Sequence, residues 1–228
     1  MRIMAVDTAT TSCSVAVVQG DEVLSERNWT NDQSHSRHLM GMVAGVLADR
    51  GLSLKDLDAF AVSRGPGSFT GLRIGIGTVK GLAYTAGKPL VGISSLEALA
   101  AQGDSDGLVC SLLDARKGEV YSCLYRKHHH RLRPLGPERV SPVERAVEAV
   151  AGPCLFIGNA IQLHRPTLME LVESPRFADP SDNTVRASTV ARLAAHRFVG
   201  GMEDDLFRFA PNYVRKSDAE LNRKRRDG

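Results

Sequence analysis

The chain has 228 residues, is 43% hydrophobic, and sets 29 Lys and Arg against 26 Asp and Glu for a formal charge of +3. That is enough apolar material to fill one large domain or two lobes, and too even a charge for a strongly basic nucleic-acid binder. No apolar run approaches the roughly 20 residues of a membrane span. Met1 to Asp7 begins a strand, with no signal-peptide core. Cys13, Cys110, Cys123 and Cys154 are scattered without a C-x-x-C pair, so neither zinc nor a redox couple is expected. A reduced, cytoplasmic protein with no membrane role is the simplest expectation. Residues 1–100 balance nine basic against nine acidic side chains, whereas residues 215–228 hold six basic and three acidic, which is the whole excess. Such a tail can touch RNA phosphates or simply be solvated.

Arg2 to Asp7 reads as a buried strand. Ser12 to Gln19 alternates as a second, and Glu22 to Trp29 makes a third after the Gly20-Asp21 turn. Ser34 to Arg50 predicts a helix whose apolar side includes Leu39, Met42, Val43 and Val46, while Gly41, Ala44, Gly45 and Ala48 form a bare side. His35 and His38 read as polar first-turn residues, because no carboxylate completes a metal site at the right spacing.

A strand over Leu57 to Ser63 leads into Gly65-Pro66-Gly67, and Ser68 is placed to cap a long helix. Winding at 100° per residue puts Phe69, Leu72, Ile76, Val79 and Ala83 against a sheet. The opposite side then carries Gly71, Gly75, Thr78, Leu82 and Thr85, with Arg73 and Lys80 together on one flank. Each helical glycine costs roughly 1 kcal/mol relative to alanine, so something must offset Gly71, Gly75, Gly77 and Gly81. An anion at the helix N-terminus is one reading. The phosphate-loop pattern is absent, and the dinucleotide fingerprint is missed by one residue, which leaves close helix–helix packing as the preferred reading. Two neighbouring helices with bare sides predict a pairing surface of Leu39, Gly41, Ala44, Gly45, Ala48, Gly71, Gly75, Thr78, Leu82 and Thr85.

After a short strand ending near Ile93, Ser94 or Ser95 caps a helix over Ser94 to Ala101. The pattern then restarts near residues 102–107 with a hairpin, Leu108 to Asp114 and Glu119 to Tyr125. The expected division is residues 1–102 and 103–228, the second unit reduced and its last helix or tail able to pack back on the first. His128 to His130 with Arg131 and Arg133 reads as a loop. Pro142 to Val150 is a short helix, Cys154 to Gly158 a strand, Asn159 to Val172 a helix broken by Pro166, and Asn183 to Val199 the final helix.

Met4-Ala-Val-Asp7-Thr8, Ser34-His35-Ser36, Gly65 to Ile76, Lys80-Gly-Leu-Ala, Gly92 to Glu97 and Pro211-Asn-Tyr-Val-Arg215 together resemble the TsaB (YeaZ) family, over essentially the whole chain. The resemblance implies an α/β, actin-like (ASKHA) two-lobe fold, each lobe a mixed β-sheet flanked by helices. It also implies an accessory role in forming N6-threonylcarbamoyladenosine at position 37 of tRNAs reading ANN codons. In the family the chemistry belongs to the larger paralogue TsaD, with which TsaB pairs through helices of the first lobe. TsaB self-pairs by the same surface when alone, and the small ATPase TsaE joins the assembly. No cofactor and no metal are expected. Where TsaD has two metal-binding histidines, Ser95 and Leu99 stand here.

Asp7-Thr8 resembles the first phosphate turn of the actin-like superfamily, which leaves a residual nucleotide contact open. That is the basis of the alternative, a small kinase or ATPase. A second phosphate turn would fall at Asp114 to Gly118, where Ala115, Arg116 and Lys117 replace the small residues it needs. A protease reading fails at Gly92-Ile-Ser94-Ser95-Leu96, which lacks the closing glycine of a nucleophile elbow.

Overall fold

The computed structural model describes residues 1–30, 35–129 and 131–215. The basic run from Lys216 onward, proposed from sequence as a tRNA contact, lies outside the described residues, as do Ser34, His130 and the His35 side chain.

The first sheet holds β1 (Arg2–Asp7), β2 (Ser12–Gln19), β3 (Glu22–Thr30), β4 (Ala59–Gly65) and β5 (Leu90–Ser94) in the order β3-β2-β1-β4-β5. The β1–β2–β3 meander is antiparallel, and β4 and β5 run parallel to β1. Parallel neighbours need crossovers, and helices supply them. α1 (His35–Ala48) and α2 (Phe69–Ala86) lie on one face, where Leu39, Val43, Val46, Ile76 and Val79 pack on Met4, Val6, Val15 and Phe60.

The opposite face of this sheet, with Ile3, Ala5, Ala16 and Ala61, meets α3 (Ser95–Gln102) and α6 (Ala187–Val199). The same two helices cover the inner face of the second sheet through Val109, Leu113, Cys123 and Tyr125. One apolar core therefore joins both sheets through a central helical layer.

The second sheet uses β6 (Gly107–Asp114), β7 (Glu119–His128), β8 (Arg131–Pro134), β10 (Cys154–Ile157) and β11 (Pro175–Phe177), in the order β11-β10-β6-β7-β8. β9 (Arg139–Pro142) pairs with the lower end of β7. Read from the outer meander strand, this repeats the order of the first sheet. α4 (Val143–Val147) and α5 (Ile161–Leu171) cover its outer face at Cys110, Leu112, Val120 and Phe156.

Two expectations are corrected here. Pro166 does not break its helix, since α5 runs through it. The missing N–H would have bonded Gln162, an exposed residue whose carbonyl water can satisfy. The segment expected as a loop around Arg131 and Arg133 is instead strand β8, held by pairing to β7.

The final helix leads into a segment, residues 204–215, that returns across both sheets. Asp204 N–H donates to Leu90 O at 2.9 Å, and Asp204 Oδ2 accepts from Gly92 N at 2.8 Å. The Phe209 ring fills the space left by Gly92, where any Cβ would collide with it. Lys80 Nζ donates to the carbonyls of Phe207 and Phe209 at 3.2 and 3.1 Å, and Arg73 Nε to the Tyr213 hydroxyl at 3.0 Å. The segment then reaches the second sheet. Asn212 Nδ2 donates to Glu138 Oε2 at 2.8 Å, and Arg215 bonds Ala115 O and the Glu119 carboxylate. Residues 204–215 thus act as a strap between the two sheets.

Candidate functional site

Three places could carry function: the β1–β2 turn, the outer face of α1 and α2, and the cleft between the sheets.

The turn begins at Asp7 and Thr8, both fully buried. Ser68 caps α2 by accepting from Gly71 N at 3.2 Å, and its own N–H donates to Ala9 O at 2.7 Å, so the helix N-terminus is stitched to the turn. Thr8 Oγ1 donates to Gly71 O at 2.8 Å. A Cβ at Gly67 would strike the Ala9 carbonyl, one at Gly71 the Thr8 carbonyl, and one at Gly75 the Thr8 hydroxyl. These glycines let a helix lie directly on a backbone turn of the same chain.

Asp7 Oδ1 accepts from Ala9 N at 3.4 Å, and the neighbouring Ser63 hydroxyl also favours the charged form. Neither Ser63 Oγ nor Asp7 Oδ2 has a completed hydrogen bond among the described residues. Burial outweighs both aids and pushes the Asp7 carboxyl up to about 7. Asp7 and Thr8, candidates for a nucleotide contact, are enclosed by α2 and present no surface to a ligand.

The face assignment on α2 needs correction. The buried side runs through Gly71, Leu72, Gly75, Ile76, Val79 and Ala83. Phe69, expected against the sheet, is instead exposed, stacked on Tyr213 at 4.8 Å with the Arg73 guanidinium 3.9 Å over its ring. It sits in the first turn of the helix, between Arg73 of the same helix and Tyr213 of the strap.

Gly71 and Gly75 therefore leave the predicted pairing surface, and so does Leu39, which is buried in the core. Gly45 is half-buried beneath Arg27, which is held by Asp49 at 2.7 Å. Gly41, Ala44, Ala48 and Thr85 are exposed, and Thr78 and Leu82 are half-buried. Within α1 and α2, the glycines with open space around them are Gly41, Gly77 and Gly81. Met40 (53% exposed), Tyr84 (67%) and Phe207 (79%) stand beside this low strip, with Tyr84 and Phe207 in edge contact at 6.1 Å. From sequence, Gly77 and Gly81 count as helical glycines needing an offset but are left off the pairing surface, and Tyr84 is not singled out. Centring the wheel on Val79 rather than between Phe69 and Ile76 would have found them.

The interlobe cleft, about 370 Å³, is lined by Arg64, Ser94, Glu97, Tyr125, Glu138, Arg197 and Asn212 among others. Its charges are largely satisfied from within. Ser94 caps α3, accepting from Leu96 and Glu97 N–H at 3.2 Å, and bonds Glu138. Arg197 spans Glu97 at 2.6 Å and Gly92 O at 2.8 Å. Burial raises the Glu138 carboxyl above its usual range, opposed by the Ser94 hydroxyl and Arg64. Ser95 and Leu99, set by the sequence resemblance at the positions of TsaD's metal-binding histidines, are fully buried.

The four thiols are buried, and burial raises each, Cys13 and Cys154 to about 12, which leaves no thiolate to act as a nucleophile. Among the described residues no group of three or more His, Cys, Asp or Glu is placed to hold a metal ion, and no helix is long and apolar enough to cross a membrane.

Comparison with known proteins adds the following. The family profile described as TsaD, tRNA N6-adenosine threonylcarbamoyltransferase, matches residues 22–222. The tRNA threonylcarbamoyladenosine biosynthesis protein TsaB of Bacillus subtilis is 31% identical over 225 residues, 96% of each chain. TsaB of Escherichia coli is 43% identical over 131 residues, 56% of each. YeaZ from Pseudomonas aeruginosa superposes with a TM-score of 0.80 at 31% identity, covering 93% of this chain and 99% of that one. At 10% identity and a TM-score of 0.50, the ADPNP-bound activator of 2-hydroxyisocaproyl-CoA dehydratase from Clostridium difficile covers 90% of this chain and 99% of its own, a likeness of fold alone. The duplicated sheet order and these neighbours make the architecture the actin-like two-lobe fold.

Proposed function

This chain belongs to the TsaB (YeaZ) family of tRNA threonylcarbamoyladenosine biosynthesis proteins, and from that premise we propose that it is the non-catalytic subunit that pairs with a TsaD transferase. In this reading it supports transfer of a threonylcarbamoyl group to adenosine 37 of tRNAs reading ANN codons, in the cytoplasm and together with TsaE. Alone, it pairs with a second copy through the same surface.

The observation that carries the reading is the outer face of α1 and α2. Gly41, Gly77 and Gly81 leave backbone open to close approach, Ala44, Ala48, Thr78, Leu82 and Thr85 extend the low strip, and Met40 and Tyr84 offer apolar contact at its side. A strip of this shape suits a partner helix. Two further observations favour a non-catalytic role: the enclosed Asp7-Thr8 turn, and the buried serine and leucine at residues 95 and 99.

The test is reconstitution of tRNA modification from the adenylate-forming enzyme, TsaD, TsaE and this chain. Omission of this chain should abolish product, and Gly77→Leu with Gly81→Leu should do the same by preventing co-elution with TsaD. Product formed without the chain, or turnover of ATP by the chain alone, would overturn the reading.

A further inference from the structure

The outer face of the second sheet ends in a row of arginines. On β7 the side chains alternate. Tyr125 and Lys127 point inward, where Lys127 Nζ bonds the Ala101 and Gly103 carbonyls at the end of α3. Arg126 and His128 therefore point outward. The register sets Arg126 directly opposite Arg133 and His128 directly opposite Arg131. Arg139 on β9 stands opposite Ser122, on the same face further along the same edge of β7. Helices α4 and α5 cover this face at Cys110, Val120 and Phe156, and the end carrying the arginines is bare.

Directly opposed like charges in an antiparallel pair are destabilising, with side chains only about 5 Å apart at Cβ. Native sheets usually oppose unlike charges there. Among the described residues no carboxylate lies within ion-pair distance of Arg126, Arg131, Arg133 or Arg139; Asp106 instead faces His128 and His129 at 3.8 and 4.0 Å. The costs of this arrangement fall away when an external anion lies across the row.

We propose that this row is a phosphate-contact surface for RNA, used while the tRNA is held by the assembly. Guanidinium groups offer forked donors that match phosphate oxygens, and a β-edge repeats them every second residue along a line, as a nucleic-acid backbone requires. The choice of RNA over other polyanions rests on the family reading above, since tRNA is the polyanion in whose modification the Bacillus subtilis relative takes part. The contact is to backbone, so it contributes affinity and orientation and carries no sequence preference.

The test compares the full-length chain with Arg131→Glu/Arg133→Glu and with a control of equal charge change on the first lobe, Lys55→Glu/Lys88→Glu. Binding of fluorescently labelled unmodified tRNA is read by anisotropy across a salt series, and co-elution with TsaD is read separately. The basic residues beyond 215 are common to all three proteins. The patch variant should bind at least about tenfold more weakly, with a salt slope lower by about two, while the control stays within about twofold. At Arg133 the patch variant also replaces a charge opposed to the like charge of Arg126 by an unlike one, so its unfolding temperature should not fall.

Equal weakening in both variants, or none in either, would overturn the proposal. So would a patch effect on phosphatidylserine vesicles or an acidic peptide that exceeds the effect on tRNA. If the tRNA result holds while the wild-type chain fails to co-elute with TsaD, the pairing reading fails and this one stands.

Discussion

On one side of α2, Gly71 and Gly75 lie so close to the β1–β2 turn that no side chain fits; on the other, Gly77 and Gly81 have nothing within 4 Å of where a Cβ would stand. The residue type, the spacing and the helix are the same, and the reasons for glycine differ. The first pair allows an internal contact, with the Thr8 hydroxyl bonded to the Gly71 carbonyl as the gain. The second pair gains the isolated chain no such contact to offset its helix cost, which is the ground on which it is proposed as part of a pairing surface. A glycine-rich helix is thus read correctly only when each glycine is placed on its own side.

The crowded side is tested most strongly through Asp7. Its folded pKa of about 7 lies above the ordinary 3.8, so between those values the folded protein binds more protons than the unfolded one and stability falls as pH rises. The gap between those two values corresponds to on the order of 4 kcal/mol, fully present below about pH 4 and lost above about pH 7. Asp7→Asn, measured by urea unfolding from pH 4 to 8, should flatten that slope relative to wild type and be the more stable protein at pH 8. An unchanged slope would mean that Asp7 is not held as a costly buried carboxylate.

Next in size, Gly71→Leu should cost about 3 kcal/mol by forcing α2 off the turn, since the Thr8 backbone cannot yield as a flexible side chain would. Gly77→Leu, the mirror experiment, should leave stability unchanged or raise it by up to about 1 kcal/mol, because a better helix former replaces glycine in open space. Its effect should fall on pairing alone. Equal stability losses in Gly71→Leu and Gly77→Leu would erase the distinction between the two sides.

Much of the first lobe was legible because its signals are local. Val and Ile alternation, the Gly20-Asp21 turn and the Ser68 and Ser94 caps fixed β1, β2 and the starts of α2 and α3 to within about a residue. The second lobe was less legible. β8, β9 and β11 are three or four residues long and owe their form to pairing with a neighbour rather than to their own sequence.

The candidate surfaces divide in the same way. The bare character of α1 and α2 could be read from composition, as could the density of basic residues between Arg126 and Arg133. Which glycines face outward depended on where the sheet and the Thr8 turn lie. The separation of inward Lys127 from outward Arg126 depended on which face of β7 meets α3, and the opposition of Arg126 to Arg133 on the register of β8.

By itself, the sequence determined the order of elements in the first lobe, the Ser68 and Ser94 caps and the family, since each follows from residues near one another in the chain. The tertiary structure decided what distant residues do to each other: the enclosure of Asp7 and Thr8, the strap that ties Phe209, Asn212 and Arg215 across two sheets, and the opposition of Arg126 to Arg133. Periodicity says that a side chain has a side, and only packing says what stands there.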